Sequence, residues 1–307
     1  MTMDKIAIIG SGAWGTALAS LYTNQENITV LARSADSLKN SNSNIKFTSN
    51  MNDILDHDLV LLVTPAQTIR SFCHSAVKKL KKDAVICICS KGIEQETGYL
   101  MSEIVQEILP SNRVAILSGP NFANEISQGL PAISSLACGD IVIANFLADK
   151  LSTYNFKLYP NSDIIGTQLY GALKNVLAIM CGISIGFNLG ENAKAALITK
   201  GIKEIVQIIR AKKADLKTIF EPAGAGDLFL TCNSTQSRNT SLGIEIVKFG
   251  SFNKSLLRHH VEGVYTTNGL SKMIRSLNLT LPIFDLTCKI INDQINVKKE
   301  NIIKLVL

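Results

Sequence analysis

The stretch Lys5-Ile6-Ala7-Ile8-Ile9-Gly10-Ser11-Gly12-Ala13-Trp14-Gly15 runs from an apolar segment into a glycine-rich turn. A helical pattern follows from about Ala13 to Asn24, and the apolar run Ile28-Thr29-Val30-Leu31-Ala32 comes next. This order predicts a strand, a helix and a second, parallel strand. In that context Gly-x-Gly-x-x-Gly indicates a nicotinamide-dinucleotide site, whereas outside it the pattern would indicate no more than an ordinary glycine-rich turn.

Each glycine of the turn has a physical reason to be there. Gly10 permits the tight turn, Gly12 lets the backbone approach the pyrophosphate, and Gly15 lets the helix and the strand pack closely. The start of the helix offers unpaired N–H groups and the positive end of its dipole to the phosphates. We therefore assign the whole turn, including Ala13 and Trp14, to the cofactor.

The end of the second predicted strand bears on the choice between NAD and NADP. An acidic residue usually binds the adenosine ribose hydroxyls there, but this chain has Arg33 and Ser34. An arginine can pair with the 2′-phosphate of NADP, although stacking of Arg33 on the adenine is an alternative. The two residues favour NADP, or the use of both NADP and NAD.

Alternating patterns continue along the first half of the chain. Apolar runs at residues 58–63, 84–89 and 113–117 predict strands, and the segments 67–81 and 98–109 predict helices. Strands that are apolar throughout indicate a mainly parallel sheet covered on both faces, as in a doubly wound, Rossmann-type α/β domain.

The pattern becomes mainly helical after Pro160. Apolar residues recur at helical spacing from Leu169 to Met180, and a second long helical pattern runs from Ala193 to Ile209. We therefore predict two domains: a Rossmann domain over residues 1–163 and an all-helical domain over residues 164–307.

Composition narrows the partners that this chain is expected to have. The net charge of its 307 residues is +6, which allows nucleic acid, anionic lipid or an anionic small substrate as partner. The densest basic segment, Lys78-Lys79-Leu80-Lys81-Lys82, has no interleaved aromatic residue and ends a helical pattern. A helix C-terminus favours such cations, so nucleic acid is not expected.

Neither a membrane span nor a metal site is expected from the sequence. A span needs about 18 or more unbroken apolar residues, and the start of the chain has no signal-peptide pattern, so we expect a cytoplasmic protein. The seven cysteines are scattered among apolar residues without Cys-x-x-Cys spacing, which indicates reduced, buried thiols. The adjacent pair His259-His260 points in two directions and makes a poor metal clamp.

Seven motifs, in order along nearly the whole chain, resemble those of the bacterial NAD(P)-dependent glycerol-3-phosphate dehydrogenases. They are Gly10-Ser11-Gly12-Ala13-Trp14-Gly15-Thr16, Ser90-Lys91-Gly92-Ile93-Glu94 with Glu96-Thr97-Gly98, Ser118-Gly119-Pro120-Asn121-Phe122-Ala123, Gly171-Ala172-Leu173-Lys174-Asn175, Asn192-Ala193-Lys194-Ala195-Ala196-Leu197-Ile198-Thr199, Gly226-Asp227-Leu228 with Thr231-Cys232 and Ser237-Arg238-Asn239, and Val261-Glu262-Gly263. Each motif is weak alone, and together they are specific.

The resemblance implies three catalytic residues. Lys174 matches the family's acid–base lysine, which needs a pKa lowered towards neutrality to serve both directions of the reaction. Lys91 would lower that pKa as a like charge, and Asp227 would raise it while holding the ammonium. The structural alternatives are a surface lysine for Lys174, an exposed loop lysine for Lys91 and an ordinary helix N-cap for Asp227.

The resemblance also implies substrate and cofactor contacts. Arg238 matches the phosphate clamp, for which its planar donors are suited, and a solvated arginine is the alternative. Glu262 matches a cofactor contact, or is a surface glutamate at a helix start. The implied substrate residues are Lys91, Gly119, Asn121, Lys174, Asp227, Thr231, Ser237, Arg238 and Asn239. The implied cofactor contacts beyond the turn, Arg33 and Ser34 are Lys91, Ala123, Arg238, His260 and Glu262.

Four positions depart from the family pattern. Asn121 stands where threonine is usual, and Asn124 where lysine is usual. Tyr170 replaces a small residue before Gly171, and His260 stands where an apolar residue is common. These changes bear on loop contacts and on packing near Lys174.

The resemblance therefore implies NAD(P)H-dependent, reversible reduction of dihydroxyacetone phosphate to sn-glycerol 3-phosphate, in support of phospholipid synthesis. It implies a small phosphorylated substrate and leaves a homodimer open. Two alternatives remain at this point. One is a related β-hydroxyacid dehydrogenase, and the other is a non-catalytic protein that senses the dinucleotide or binds nucleic acid.

Overall fold

A single sheet organises the first half of the chain in the computed structural model, which describes residues 3–22, 27–33, 45–77, 79–257 and 259–307. The strands are β1 (Ile6–Ile9), β2 (Ile28–Leu31), β3 (Lys46–Thr48), β4 (Leu59–Leu62), β5 (Val85–Ile88), β6 (Arg113–Ser118), β7 (Ala132–Cys138) and β8 (Phe156–Asn161). Their order in the sheet is β3-β2-β1-β4-β5-β6-β7-β8, and every neighbouring pair is parallel except β6 and β7.

Helices cover both faces of this sheet. They are α1 (Ala13–Leu21), α2 (Ile69–Ala76), α3 (Met101–Ile108), α4 (Ala123–Ser127) and α5 (Ile141–Leu151). Within β1, Ile6 and Ile8 join one apolar cluster, and Ala7 and Ile9 join another. Successive strand residues point to opposite faces, so an uninterrupted apolar strand supplies two cores. The predicted doubly wound, mainly parallel α/β domain is confirmed.

The second half is built from helices, as predicted. They are α6 (Ile164–Gly186), α7 (Gly190–Ala211), α8 (Asp227–Asn233), α9 (Arg238–Phe249), α10 (Glu262–Ser276), α11 (Pro282–Ile291) and α12 (Lys299–Val306). Helix α6 is long and apolar enough to span a membrane by length and composition, and 89% of its most apolar window is buried within the protein. It contains Lys174 and Asn175, and it is the central core helix of this half.

The chain divides into two compact units, which we call the sheet unit (Met1–Ser90 and Met101–Ile164) and the helical unit (Lys91–Leu100 and Ile165–Leu307). The predicted boundary at residues 163–164 therefore needs one correction, because the segment 91–100 belongs to the helical unit. Ile93 and Leu100 are fully buried in the helical core. A Cβ on Gly269 of α10 would lie 2.4 Å from the Glu94 carbonyl oxygen, which shows how closely the segment packs.

Some boundaries and side chains differ from the sequence predictions in detail. Helix α1 ends at Leu21, and Asn24 lies outside the described residues. Helix α2 ends at Ala76, short of the basic segment, whose Lys78 also lies outside the described residues. All seven cysteines are free and buried, as predicted. Within the described ranges there is no group of three or more potential metal ligands.

Candidate active site

The glycine-rich turn of the sheet unit has the geometry that a dinucleotide requires. Gly10 has a φ of +113°, which favours glycine. A Cβ on Gly15 would lie 2.0 Å from the Gly10 carbonyl oxygen, whereas one on Gly12 would meet nothing within 4 Å. Gly12 is the N-cap of α1 and provides no side-chain cap. The first N–H groups of α1 are therefore open to an anion, and the turn fits a pyrophosphate.

The other residues predicted to bind the cofactor in this unit lie at the start of α1 or follow β2 in the chain. Ala13 begins α1 and is exposed. Trp14 packs edge-to-face on Phe156, with ring centroids 6.5 Å apart. Arg33 is exposed just after β2, and Ser34 lies outside the described residues.

Thr64 is a polar residue beside this turn that the sequence analysis misses. It follows β4, which is the neighbour of β1 in the sheet. Its Cγ2 would lie 3.2 Å from a Cβ on Gly10. Its Oγ1 is buried and has no hydrogen-bond partner among the described residues. Sheet order could have found it, because ligands bind at the carboxyl ends of the strands where the strand order reverses.

A second group of predicted residues in the sheet unit follows β6. Gly119 lies against β7, and a Cβ there would be 2.7 Å from the Cα of Ser134. The Asn121 amide donates to Ser134 Oγ, while its Oδ1 is buried without a partner within the described part of the chain. Ala123 begins α4. Asparagine at position 121 thus retains a polar contact, and a spare acceptor, where the family usually has threonine.

The predicted catalytic residues meet in the helical unit. Lys174 Nζ on α6 donates to Asp227 Oδ1 at 2.6 Å and to Thr231 Oγ1 at 2.7 Å. Lys91 Nζ donates to the other carboxylate oxygen of Asp227 at 2.7 Å. The Asp227 side chain is 1% exposed and that of Lys174 is 8% exposed. One buried carboxylate therefore bridges two ammonium groups, and the surface-lysine alternative for Lys174 is wrong.

The pKa of Lys174 is lowered to about 8, mainly because burial disfavours the ammonium form. Asp227 opposes this effect and raises the pKa, and the like charge of Lys91 lowers it further. Lys91 is therefore not the main cause of the low pKa, as the motifs alone suggested, because burial has the larger effect. An amine with this pKa can both give and take a proton near neutral pH.

The local fold before α8 explains why the Asp227 carboxylate is free to accept from Lys174 and Lys91. The turn Pro222–Gly226 is a single π-helical turn, interrupted at Gly224, and Gly226 is the N-cap of α8. Asp227 is the first residue of the helix and makes no cap bond, so the N-cap alternative is wrong. Thr231, one turn later, donates its hydroxyl proton to the Asp227 carbonyl oxygen at 2.7 Å. Its lone pairs therefore face the Lys174 ammonium.

The residues predicted to bind the substrate phosphate form the start of α9. Ser237 is the N-cap, and its Oγ accepts from the Thr240 N–H. Arg238 is the first helical residue and is exposed. A helix N-terminus beside an exposed arginine suits a phosphate.

Asn239 has a different position from Arg238, because it is buried at a junction of three helices. Its Nδ2 donates to Asn175 Oδ1 on α6 at 3.0 Å, and its Oδ1 accepts from the Gly263 N–H of α10 at 3.0 Å. Asn175, which follows Lys174 directly, is a residue that the sequence analysis quotes only as part of a motif. The Lys-Asn pair was the signal that could have found it.

Two predicted cofactor contacts stand at the start of α10. His260 Nε2 lies 3.0 Å from Glu262 Oε1, and the His260 ring stacks on Tyr265 with centroids 4.5 Å apart. Glu262 is the first residue of α10, and its side chain is 18% exposed. Stacking on Tyr265 explains how a histidine is accommodated where the family usually has an apolar residue.

Comparison with known families identifies the chain. The model of the NAD-dependent glycerol-3-phosphate dehydrogenase N-terminus matches residues 5–144, and that of the C-terminus matches residues 163–301. The chain belongs to the NAD-dependent glycerol-3-phosphate dehydrogenase family. This confirms the resemblance found in the motifs.

Relatives and solved structures agree with the family. The chain is 38% identical to a glycerol-3-phosphate dehydrogenase (NAD(P)+) of Brucella ovis over 95% of this chain and 94% of the relative. It is 36% identical to one of Parvibaculum lavamentivorans, covering 94% of this chain and 92% of the relative. The crystal structure of glycerol-3-phosphate dehydrogenase from Coxiella burnetii matches with a TM-score of 0.91 at 27% identity, over 99% of this chain and 98% of that one.

Proposed function

We propose that this protein is an sn-glycerol-3-phosphate dehydrogenase that interconverts dihydroxyacetone phosphate and glycerol 3-phosphate with NADP or NAD. The observation that carries the proposal is the buried Lys174 ammonium, whose pKa is about 8, held by Asp227 and Thr231. When bound, the dinucleotide supplies or accepts the hydride at C2 of the substrate. The protein must then supply or remove one proton at the C2 oxygen.

Lys174 transfers that proton. Its ammonium has three N–H groups, of which two are donated to Asp227 and Thr231. The third remains for the substrate oxygen. In reduction, the ammonium gives its proton to the developing alkoxide and is left as a neutral amine, which regains a proton from water. In oxidation, the neutral amine takes the hydroxyl proton.

Asp227 and Lys91 set the charge around Lys174. With both lysines protonated and Asp227 ionised, the cluster has one net positive charge, which suits an anionic substrate and an oxygen that gains negative charge. Arg238 and the first N–H groups of α9 bind the phosphate. Asn239 supports them from the buried junction with α6 and α10.

The sheet unit holds the dinucleotide. The N–H groups at the start of α1 and the backbone of Gly12 bind the pyrophosphate, and Thr64 adds a hydroxyl beside Gly10. Arg33, exposed after β2, pairs with the 2′-phosphate of NADP. We therefore expect NADPH to be used at least as well as NADH.

The two alternative functions are less well supported. A β-hydroxyacid dehydrogenase would bind a carboxylate and would not need the Arg238 position at the start of α9. A non-catalytic sensor would not need two lysines around one buried aspartate. Burying such a charged cluster costs desolvation free energy and would bring a sensor no benefit.

The substitution Lys174→Ala tests the proposal. Removal of an acid–base group costs about 100-fold or more in rate, so we expect kcat for dihydroxyacetone phosphate reduction to fall at least that far. The dissociation constant for NADPH should stay within about twofold, because the glycine turn is untouched. Lys200→Ala is the control, since Lys200 is a half-buried lysine whose Nζ donates to the Leu305 carbonyl oxygen, away from the Asp227 cluster. Unchanged turnover in Lys174→Ala would refute the proposed role.

A further inference from the structure

Helices α10 and α11 enclose a groove of about 560 Å³ in the helical unit. Residues of α10 at i, i+3, i+4 and i+7 line one wall, and residues of α11 with the same spacing line the other. These positions are Asn268, Ser271, Lys272 and Arg275 on α10, and Asp285, Cys288 and Lys289 on α11 together with its C-cap, Asn292. Such spacing places each set on one helix face. The groove is thus formed by two facing helix surfaces rather than by a loop.

The groove has an excess of positive charge. Lys272, Arg275 and Lys289 line it, against the single carboxylate of Asp285. Asp285 Oδ2 already accepts from the Leu281 N–H at 3.1 Å, at the start of α11. Within the described residues Asp285 forms no ion pair with the three cations, and the lining keeps a net charge of +2.

Two of the three cations are available to a ligand. Lys272 Nζ donates to the Glu96 carbonyl oxygen. Arg275 and Lys289 are exposed, and within the described ranges their side chains form no hydrogen bond or ion pair with the protein. An arginine fork and a lysine from opposite walls can hold one phosphate group between them.

Neutral hydrogen-bonding groups make up most of the remaining lining, beside the apolar side chain of Ile274. Gln95, Asn268, Asn292 and Gln294 present amides, and Ser271 presents a hydroxyl. Gln95 Oε1 accepts from Asn268 Nδ2 at 3.3 Å, which joins the segment 91–100 to the groove wall. Amides beside a cationic pair suit a ligand that carries hydroxyl groups as well as a phosphate.

We propose that this groove is a second phosphate-binding site, which takes a small phosphomonoester with hydroxyl groups. Arg275 and Lys289 hold the phosphate, and the amides contact the hydroxyls. The site shares no residue with the start of α9, where we place the substrate phosphate. Its wall includes Gln95, on the same short segment as Lys91, so a bound ligand touches the segment that carries Lys91.

Tungstate, a phosphate mimic with strong anomalous scattering, tests the site directly. Crystals of the full chain soaked in sodium tungstate should show an anomalous peak within hydrogen-bonding distance of Arg275 and Lys289. The peak should be absent from Arg275→Gln/Lys289→Gln. It should persist in Arg210→Gln/Lys299→Gln, which loses the same two charges at exposed positions outside the groove. A peak confined to the start of α9, or a neighbouring copy of the chain filling the groove, would overturn the proposal.

Calorimetry with inorganic phosphate tests the site in solution. In an Arg238→Gln background, which weakens the proposed substrate site, one phosphate should still bind. Adding Arg275→Gln/Lys289→Gln should weaken that binding at least tenfold, whereas adding Arg210→Gln/Lys299→Gln should leave it unchanged. Loss of all phosphate binding in Arg238→Gln alone would overturn the second site and leave the proposed function standing. Dihydroxyacetone phosphate turnover by Arg275→Gln/Lys289→Gln should stay at the wild-type level.

Discussion

At the scale of single residues, Lys174 shows how a fold adjusts a proton-transfer group. A lysine side chain in water has a pKa of about 10.4, and burial on α6 lowers that of Lys174 to about 8 despite its bond to Asp227. The bond to a carboxylate keeps the ammonium in place, and desolvation keeps it acidic. Burial and Asp227 therefore shift the Lys174 pKa in opposite directions, and a substitution at Asp227 removes one effect without the other.

We expect a pH profile with opposite limbs for the two directions. Reduction needs the ammonium, so kcat/KM for dihydroxyacetone phosphate should fall as pH rises through about 8. Oxidation needs the neutral amine, so kcat/KM for glycerol 3-phosphate should rise through the same range. Steady-state rates from pH 6 to 10 check this. A pH-independent rate in both directions would contradict proton transfer by Lys174.

Charge substitutions around Lys174 should shift the falling limb of the reduction profile, in a direction set by the sign of the charge removed. Lys91→Met removes a like charge, so the Lys174 pKa should rise and the limb should shift to higher pH. Asp227→Asn removes the opposite charge, so the pKa should fall and the limb should shift to lower pH. Lys203→Met, at an exposed position on α7, is the control. Shifts of the same sign in both variants would contradict the account.

The sequence predicts much of this residue-level chemistry, but not its causes. The motifs identify Lys91, Lys174, Asp227 and Thr231, and the structure brings all four together. The depth of burial of Lys174 could not be predicted, because it depends on helices distant along the chain. The helix pattern around Asp227 indicates that this residue is an N-cap, whereas the N-cap of α8 is Gly226 and Asp227 is the first helical residue.

At the scale of elements, close contact between α6 and α9 positions the phosphate-binding end of α9. A Cβ on Gly243 of α9 would lie 2.1 Å from the Ile179 carbonyl oxygen of α6, and one on Gly182 of α6 would lie 2.0 Å from the Thr240 carbonyl oxygen. The two backbones nearly touch, and the bond between Asn175 and Asn239 joins the same helices one or two turns away. The distance from Lys174 to the start of α9 therefore depends on this glycine contact.

Gly243→Ala should disturb both stability and substrate binding. Overpacking a close contact costs about 1–3 kcal/mol, so the free energy of unfolding in urea should fall by that amount. The KM for dihydroxyacetone phosphate should rise, because the start of α9 is displaced. Gly201→Ala is the control, since its new Cβ would meet the flexible Leu177 side chain and not a backbone. A wild-type KM in a folded Gly243→Ala variant would contradict the account.

The sequence predicts the central elements better than the peripheral ones. Strands β1, β4, β5 and β6 lie within one residue of the predicted apolar runs, because they are buried on both faces. Strands β3, β7 and β8 are not predicted from the sequence. Strand β3 has only three residues, and β8 alternates buried and exposed residues and contains Pro160. Strands β3 and β8 are the sheet edges and lack the continuous apolar pattern of central strands. Strand β7 is an inner strand, in which Ser134 and Ser135 interrupt the apolar residues.

At the scale of the whole molecule, the chain crosses between its two units three times, at residues 90–91, 100–101 and 164–165. A single boundary near residue 163 is what composition predicts, because the change from alternating to helical pattern is visible there. The return of the segment 91–100 to the helical unit is not visible in composition. Its apolar residues contact partners that are far along the chain.

The discontinuous helical unit should depend on its short segment for stability. A fragment of residues 165–307 lacks Ile93 and Leu100, each fully buried in the helical core. Burial of two such side chains is worth about 3–6 kcal/mol. We therefore expect residues 91–100 joined to 165–307 to unfold at a higher urea concentration than 165–307 alone. Equal midpoints would show that the segment does not belong to the helical core.

The most direct test of the central claim is an assay of NADPH and NADH oxidation with dihydroxyacetone phosphate as the substrate, compared with a panel of keto acids that would yield 3-hydroxy acids. The account predicts turnover of dihydroxyacetone phosphate, at least as fast with NADPH as with NADH, and little turnover of the keto acids. Preference for the keto acids, or no oxidation with dihydroxyacetone phosphate, would contradict it.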